Sequence, residues 1–296
     1  MLNFNQLRVF YEVAKAQSIK EASKRLCVSE PAVSTAIKSF ESSCDLILFK
    51  RIGRKLILTE AGYTILNSCQ EVFELEKKIE EEIIALRELR SGIVKIGTSK
   101  TYARYLMPPL LKSFYSRYPN LKIILNEGTS LQIGESILKG QNELAIIAKV
   151  GKLEAIEFIP FKNEEVVLFA SIDHPFSKKG GILFKELTNQ PMIMRDEGSG
   201  TRKIIEEAFA RHSVNPLIIL ETGNSECIKD MVANGKGLSF LVHSSVKEDI
   251  EKGRLARIPI IDERLYLPIY IAFVKNQPLS HAGKAFFSFL VGEKKL

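Results

Sequence analysis

The chain has 296 residues, 45% of them hydrophobic and 26% charged, a length that suits two or three domains and a composition that excludes a disordered chain. The net charge is +7, with ten Lys/Arg against six Asp/Glu in residues 1–60 and 32 against 29 in the remaining 236. More than half of the basic excess therefore lies in one fifth of the chain: either a module for a polyanion joined to a near-neutral module, or a solvated basic surface.

No apolar run approaches the roughly 18 residues that cross a bilayer. The start MLNFNQLRVF lacks the charged-then-apolar pattern of a signal peptide. Both features predict a cytoplasmic protein with no membrane partner. Cys27, Cys44, Cys69 and Cys227 are too scattered for metal-type pairs, so they read as reduced structural thiols. The four histidines, at 174, 212, 243 and 281, are equally scattered and read as structural or surface residues. No metal or cofactor signature is present.

Leu7, Phe10 and Ala14 recur at helical spacing, which predicts a helix over 5–16. Ser18 and Glu21 form a capping-box pattern at the start of a second helix, IKEASKRL, with Ala22 and Leu26 on one face. After the short connection Cys27-Val28-Ser29, Ser29 caps a third helix, and Pro31 is tolerated in its first turn, where its missing N–H has no partner to lose. That helix runs to about Ser43, with Val33, Ile37 and Phe40 inside. Two short helices joined by a tight turn make a helix-turn-helix, whose second helix enters the major groove. Ser29, Glu30, Pro31, Ser34, Thr35 and Lys38 face outward at its start, suited to base edges and phosphates. Two apolar strands, LILF and KLIL, then flank a cationic hairpin carrying Lys50, Arg51, Arg54 and Lys55, the pattern of a wing on backbone phosphate. A small helical subdomain with a solvated basic hairpin is the other reading of the same pattern.

The stretch from Gln6 to Gly62 resembles the N-terminal signature of LysR-type transcriptional regulators. The matching positions are Ala22, Leu26, Ser29, Pro31, Ala32, Ser34, Ile37, Glu41, Leu48, Phe49, Arg51, Leu58, Thr59 and Gly62. Two positions depart from the pattern: Glu30 stands where glutamine is usual, and Asp45 where glycine follows the recognition helix. A carboxylate only accepts hydrogen bonds, so Glu30 suits cytosine N4 and predicts an altered operator preference at one base. Asp45 tolerates the left-handed conformation.

Ile65, Cys69, Val72, Ile79, Ile83 and Leu86 then follow a coiled-coil-like spacing, with Glu76 where one more apolar residue is expected. Neither Gly nor Pro occurs from Tyr63 to Arg90, and Ser91-Gly92 reads as the end of a long helix. A 30-residue helix spans about 45 Å, too long for a small domain to cover, which predicts a dimer interface. The resemblance implies the same, with pairs of dimers forming tetramers.

From residue 92, apolar strands alternate with helical stretches, including 101–117, 130–139, 201–212 and 224–233. The alternation predicts a parallel-rich sheet with helices on both faces. The resemblance implies a two-lobed, periplasmic-binding-protein-type effector domain. Its lobe I would be 92–161 and 267–296 and its lobe II 162–266, with hinges near Phe161 and Tyr266. The predicted organisation is thus a winged helix-turn-helix (1–60), a linker helix (61–91) and an effector domain (92–296). Four polar clusters sit where strands hand over to helices, the usual ligand position in open α/β sheets. They contain Thr98, Ser99, Lys100 and Thr101; Thr129 and Ser130; Ser199, Gly200, Thr201 and Arg202; and Asn224 and Ser225. Helix N-termini, hydroxyls and two cations in one cleft suit a small anion or carboxylate, although Ser, Thr and Gly also cap helices everywhere. The Gly-Ser-Gly-Thr-Arg run resembles the branches of the family that sense metabolites of carbon and sulfur assimilation. The sequence thus predicts a homo-oligomeric regulator of promoter DNA that answers to a small effector. An enzyme is disfavoured because no Walker lysine, nucleophile elbow or cofactor signature is present. A transport-type binding protein is disfavoured because the signal pattern is missing.

Overall fold

The structure is a computed structural model and describes residues 2–52 and 55–293, the side chains of Lys55 and Glu293 apart. The chain forms two compact units, residues 1–85 and 86–296.

In the first unit, α1 (Phe4–Ala16) starts at Asn3, whose side chain accepts from the amides of Asn5 and Gln6. Helix α2 (Ile19–Leu26) starts at Ser18, and Glu21 N–H donates to its Oγ at 3.3 Å. The expected reciprocal half of that capping box does not form, because the Glu21 carboxylate pairs with Lys24 at 3.0 Å. Helix α3 (Glu30–Cys44) starts at Ser29 and ends on Asp45 at φ 53°, a left-handed residue. Leu7, Phe10, Val13, Ala22, Val33, Ile37 and Phe40 are buried together.

Strands β1 (Phe49–Ile52) and β2 (Lys55–Leu58) pair antiparallel. The first begins three residues later than LILF suggests. Glu41 explains the shift: one carboxylate oxygen accepts from Leu48 N–H at 2.7 Å and Phe49 N–H at 3.0 Å, which ties the approach to α3. Helix α4 (Glu60–Arg87) follows. Thr59 donates to Ile47 C=O at 2.7 Å and accepts from Gly62 N–H at 3.0 Å. A Cβ on Gly62 would lie 2.3 Å from Leu48 O, so this helix start needs glycine to approach the wing.

The second unit is built on one nine-stranded sheet. Strands β3 (Ile93–Ser99), β4 (Lys122–Gly128) and β5 (Leu144–Ala148) are parallel, with β3 central. Helices α5 (Lys100–Tyr105), α6 (Met107–Arg117) and α7 (Ser130–Leu138) connect them. The single helix expected over 101–117 is broken at Leu106 because Pro108 and Pro109 follow. Proline has no N–H to give and clashes with the carbonyl four residues back, so it can only start a new helix.

Strand β6 (Ile156–Ser171) leaves this lobe and enters the other. There β7 (Pro191–Arg195), β8 (Leu217–Thr222) and β9 (Leu238–Val242) run parallel to one another. Helices α8 (Gly200–His212), α9 (Ser225–Ala233) and α10 (His243–Glu251) accompany them, with β10 (Leu255–Ile258) on the side of β6. Strand β11 (Leu265–Val274) returns antiparallel along β6, pairs with β5, and leads to α11 (His281–Glu293). Helix α10 and β10 are elements that the sequence reading did not separate. Only β6 and β11 are common to the two lobes, and their register shifts between Ile269 and Tyr270, which leaves Phe161 unpaired in a bulge. The domain is therefore two-lobed α/β, with the lobes joined by a bulged two-stranded ribbon.

Candidate functional site

Two surfaces carry chemistry. On the first unit, Ser29, Glu30, Pro31, Thr35 and Lys38 are exposed at the start of α3, Ser34 is half-buried beside them, and Arg51 is exposed on β1. The helix presents them because Val33, Ile37 and Phe40 bury its opposite face. The arrangement offers donors, acceptors and one cation, Lys38, along one helix edge, with Arg51 on the neighbouring strand, and Glu30 offers only acceptors. Arg54 lies outside the described residues, as does the side chain of Lys55. Helix α4 divides in two. Cys69 and Phe73 are buried against α1, and Glu76 forms an ion pair with Arg8, which explains a charge at an expected apolar position. From Leu75 onward, Leu75, Ile79, Ile83, Ile84 and Leu86 are exposed.

In the second unit, the carboxyl ends of β3, β4, β5 and β7 meet in the cleft. Ser99, Thr101, Tyr102, Thr129, Ser130, Arg195, Ser199, Gly200 and Thr201 line one cavity of about 10 Å³, room for about one water. The lobes close tightly over it. Leu131 N–H donates to Gly198 C=O at 3.2 Å, and Gly198 sits at φ +79° against Thr129. A Cβ on Gly200 would fall 2.3 Å from that of Ala148. Helices α7 and α8, with nine and 13 residues, point their N-termini here. Helix α5 has only six residues, so its dipole adds little.

Arg195 is the outstanding group. Its residue is 4% exposed at the end of β7, and one guanidinium nitrogen donates to Ser225 Oγ at 2.5 Å. Among the described residues, the buried side-chain polar atoms without a hydrogen-bond partner are Arg195 Nε, Tyr102 Oη and Asp196 Oδ1, the last 3.8 Å from the Arg195 guanidinium. Two of these three belong to residues that line this cavity. Burial lowers the pKa of Arg195, with Asp196 and Tyr102 opposing the shift. Burial also pushes the Tyr102 phenol well above its ordinary value, helped by Glu164 and opposed by Arg195. Tyr102 is therefore a neutral donor beside a buried cation. Buried polar groups left without partners are costly, and a donor pair of this kind is suited to an oxyanion.

Seven of the residues named from the sequence meet in this cavity: Ser99, Thr101, Thr129, Ser130, Ser199, Gly200 and Thr201. Lys100, Asn224 and Ser225 line an adjoining cavity of about 440 Å³, where Thr101 also appears. There the Lys100 ammonium stands 3.7 Å from Asp196. Asn224 caps α9. Thr98 is turned away, donating to Ile146 C=O at 2.9 Å in the core. Arg202 lines neither cavity. It pairs with Glu206 and Glu221, both at 2.6 Å, and donates to the Arg195 carbonyl at 3.1 Å. The cation at the inner cavity is thus Arg195, which the sequence reading passed over, as it did Tyr102. One signal was present: a lone arginine ends the apolar run PMIM just before Gly198. Among the described residues, no cluster of His, Cys, Asp and Glu could hold a metal ion. No described helix is long and apolar enough to cross a membrane.

Residues 4–63 match the family model described as bacterial regulatory helix-turn-helix protein, lysR family. Residues 87–295 match that of the LysR substrate binding domain. The HTH-type transcriptional activator CmpR of Synechocystis sp. is 31% identical over 286 residues, 97% of this chain and 94% of CmpR. Full-length OxyR from Pseudomonas aeruginosa superposes with a TM-score of 0.78 at 23% identity, over 98% of this chain and all of OxyR. The CcmR regulatory domain of Synechocystis, solved in complex with 2-PG, gives a TM-score of 0.65 at 27% identity, covering 69% of this chain and 98% of that one.

Proposed function

Because the chain belongs to the LysR family of transcriptional regulators, we propose that it acts as a cytoplasmic homo-oligomer, a dimer or tetramer, on double-stranded promoter DNA. It is a regulator rather than an enzyme. Ser29, Glu30, Pro31, Ser34, Thr35 and Lys38 read the major groove, while Arg51, Arg54 and Lys55 hold phosphates. The exposed apolar face of α4, from Leu75 to Leu86, pairs with a second copy. Closure or rotation of the two effector lobes alters the spacing of the DNA-binding modules and so changes promoter contacts.

The effector is a small anion or carboxylate held in the cleft. Arg195 binds its charge, Tyr102 donates one hydrogen bond, and Ser130, Ser199 and Thr201 complete a ring of hydroxyls below the α7 and α8 N-termini. Arg202 and Thr98 support this ring without touching the ligand. The observation that carries the reading is the Arg195 guanidinium, buried at the cavity with Nε unpartnered. The complex of the CcmR domain with 2-PG supports it.

A thermal-shift screen of the full chain against 2-PG, inorganic phosphate and short carboxylates tests the reading. A ligand at 100 times its dissociation constant adds about 2.7 kcal/mol, a shift that is easily seen. The expected hit disappears in Arg195→Gln and in Thr201→Val. A hit that persists in Arg195→Gln, or no hit with any of these anions, removes the anion site and leaves DNA binding untouched.

A further inference from the structure

A second polar cluster lies at the mouth of the cleft, outside the anion cavity. Lys229, on α9, is 5% exposed. Its ammonium reaches Glu226 and Asp249, both at 2.8 Å. It also donates to Tyr105 Oη at 3.0 Å and to Ser245 C=O at 3.3 Å. Asp249, itself 4% exposed, takes a second ion pair from Arg254. Tyr105 stands at the end of α5 on the other lobe and donates to Glu226 at 2.6 Å. Arg104 adds a longer ion pair to the same carboxylate at 3.4 Å.

The division of these partners between the lobes sets what the cluster can do. Lys229, Glu226, Asp249 and Ser245 all belong to α9 and α10. If the lobes part, the buried ammonium keeps two carboxylates and a carbonyl, so no charge is left unpaired. Breaking a buried ion pair is strongly destabilising, and here the opening breaks none. Within the cluster the bonds lost are those of Tyr105, a neutral phenol that water can satisfy, and the exposed contact of Arg104, which is weak. Outside it the lobes also share the Leu131–Gly198 and Thr101–Ser225 hydrogen bonds and the Lys100–Asp196 pair. The charged half is preassembled, and closure adds two charge-assisted hydrogen bonds at one phenol, which donates to Glu226 and accepts from Lys229. Burial raises the Glu226 carboxyl, but bonds from Lys229 and Tyr105 more than offset this and hold it below its ordinary value. Glu226 therefore stays an acceptor.

Position gives the cluster its consequence. Tyr105 and Glu226 line the outer cavity of about 440 Å³ together with Thr101, which also lines the inner one. The inner cavity has about 10 Å³, too little for an anion of several heavy atoms. An effector must widen the cleft from this closed arrangement, against the two bonds that Tyr105 makes.

We propose that Tyr105 and Glu226, with Lys229 and Asp249 behind them, form a latch across the cleft that opposes effector entry and sets effector affinity. They are positioning residues, and the proposal rests on the reading of the cleft as the effector site. A protein whose competent state is rarely populated binds with an affinity reduced by that fraction. Weakening the latch therefore tightens binding.

The test uses the full-length chain, Tyr105→Phe and Glu226→Gln, with two measurements. The first is amide hydrogen exchange without ligand, and the second is the dissociation constant for 2-PG by calorimetry. In both variants, exchange at α5 and the first turn of α9 should rise about 3–10-fold while β5 is unchanged, and the 2-PG constant should fall by a similar factor. Unchanged exchange in both variants, faster exchange throughout β5, or weaker 2-PG binding overturns the latch. If the wild-type chain binds neither 2-PG, inorganic phosphate nor short carboxylates but the variants still loosen α5 and α9, the latch stands and the anion reading fails.

Discussion

Arg195 and Arg202 are seven residues apart and do different work. Arg195 is buried with an unpartnered nitrogen at the cavity, whereas Arg202 is held by two glutamates and braces the Arg195 carbonyl. Those bonds hold the Arg202 guanidinium above its ordinary pKa and that of Glu221 below. Arg202→Gln should therefore leave anion affinity within about twofold and lower stability by about 1 kcal/mol, while Arg195→Gln abolishes the anion response. Calorimetry beside urea unfolding separates the two. Residue type and spacing placed seven hydroxyl and glycine residues at the cavity. They could not distinguish these two arginines, because the direction of a side chain depends on glutamates brought near by folding. Gly62 is a clearer case at the same scale. Its match to a family position becomes a steric fact, since an added Cβ meets Leu48 O at 2.3 Å. Gly62→Ala should destabilise the first unit by about 1–3 kcal/mol, read from its unfolding midpoint. Cys69 is buried, and burial pushes its thiol up to about 11. The exposed Cys27, Cys44 and Cys227 should alkylate in the native protein, with Cys69 reacting only on unfolding.

Helix α4 shows what periodicity can and cannot resolve. The apolar spacing from Ile65 to Leu86 reads in the sequence as one seam interrupted only at Glu76. In the fold its first part packs on α1 and its last part is exposed. Spacing reports that a face is apolar and leaves open what covers it. The Glu76 break marks the change of partner, because that carboxylate meets Arg8. Ile79→Lys with Ile83→Lys should therefore dissociate the oligomer, seen by sedimentation. The thermal midpoint of each isolated unit should move little, because both side chains are exposed within the chain. Loss of helix content alongside dissociation would show instead that α4 is needed by its own unit. The breaks at Leu106 and before Phe49 had local causes, two prolines and one capping carboxylate. The proline pair could have been read in advance. The carboxylate bond could not, because Glu41 reaches seven and eight residues along the chain.

At the scale of the whole molecule, charge and concavity are separated along the chain. The cations of α3 and the wing belong to the first unit, and the cleft belongs to the second. The two activities should therefore differ in their response to salt. Two modules of a dimer, each offering Lys38, Lys50, Arg51, Arg54 and Lys55, reach about 6–10 phosphates. Releasing their counterions should weaken promoter binding by about 10³–10⁵-fold between 50 and 200 mM salt. Arg195 is shielded from screening by burial, so anion affinity should change far less over the same range. Lys38→Ala should reduce the salt slope and weaken DNA binding on every sequence, with the anion response retained. Glu30→Gln should instead move the preference at one base and leave the slope unchanged, because it alters an acceptor pattern and not a phosphate contact. A binding-site profile that is identical for the parent chain and the Glu30→Gln variant would exclude Glu30 from base readout. The specificity of this module would then rest on the hydroxyls of Ser34 and Thr35 and on DNA shape.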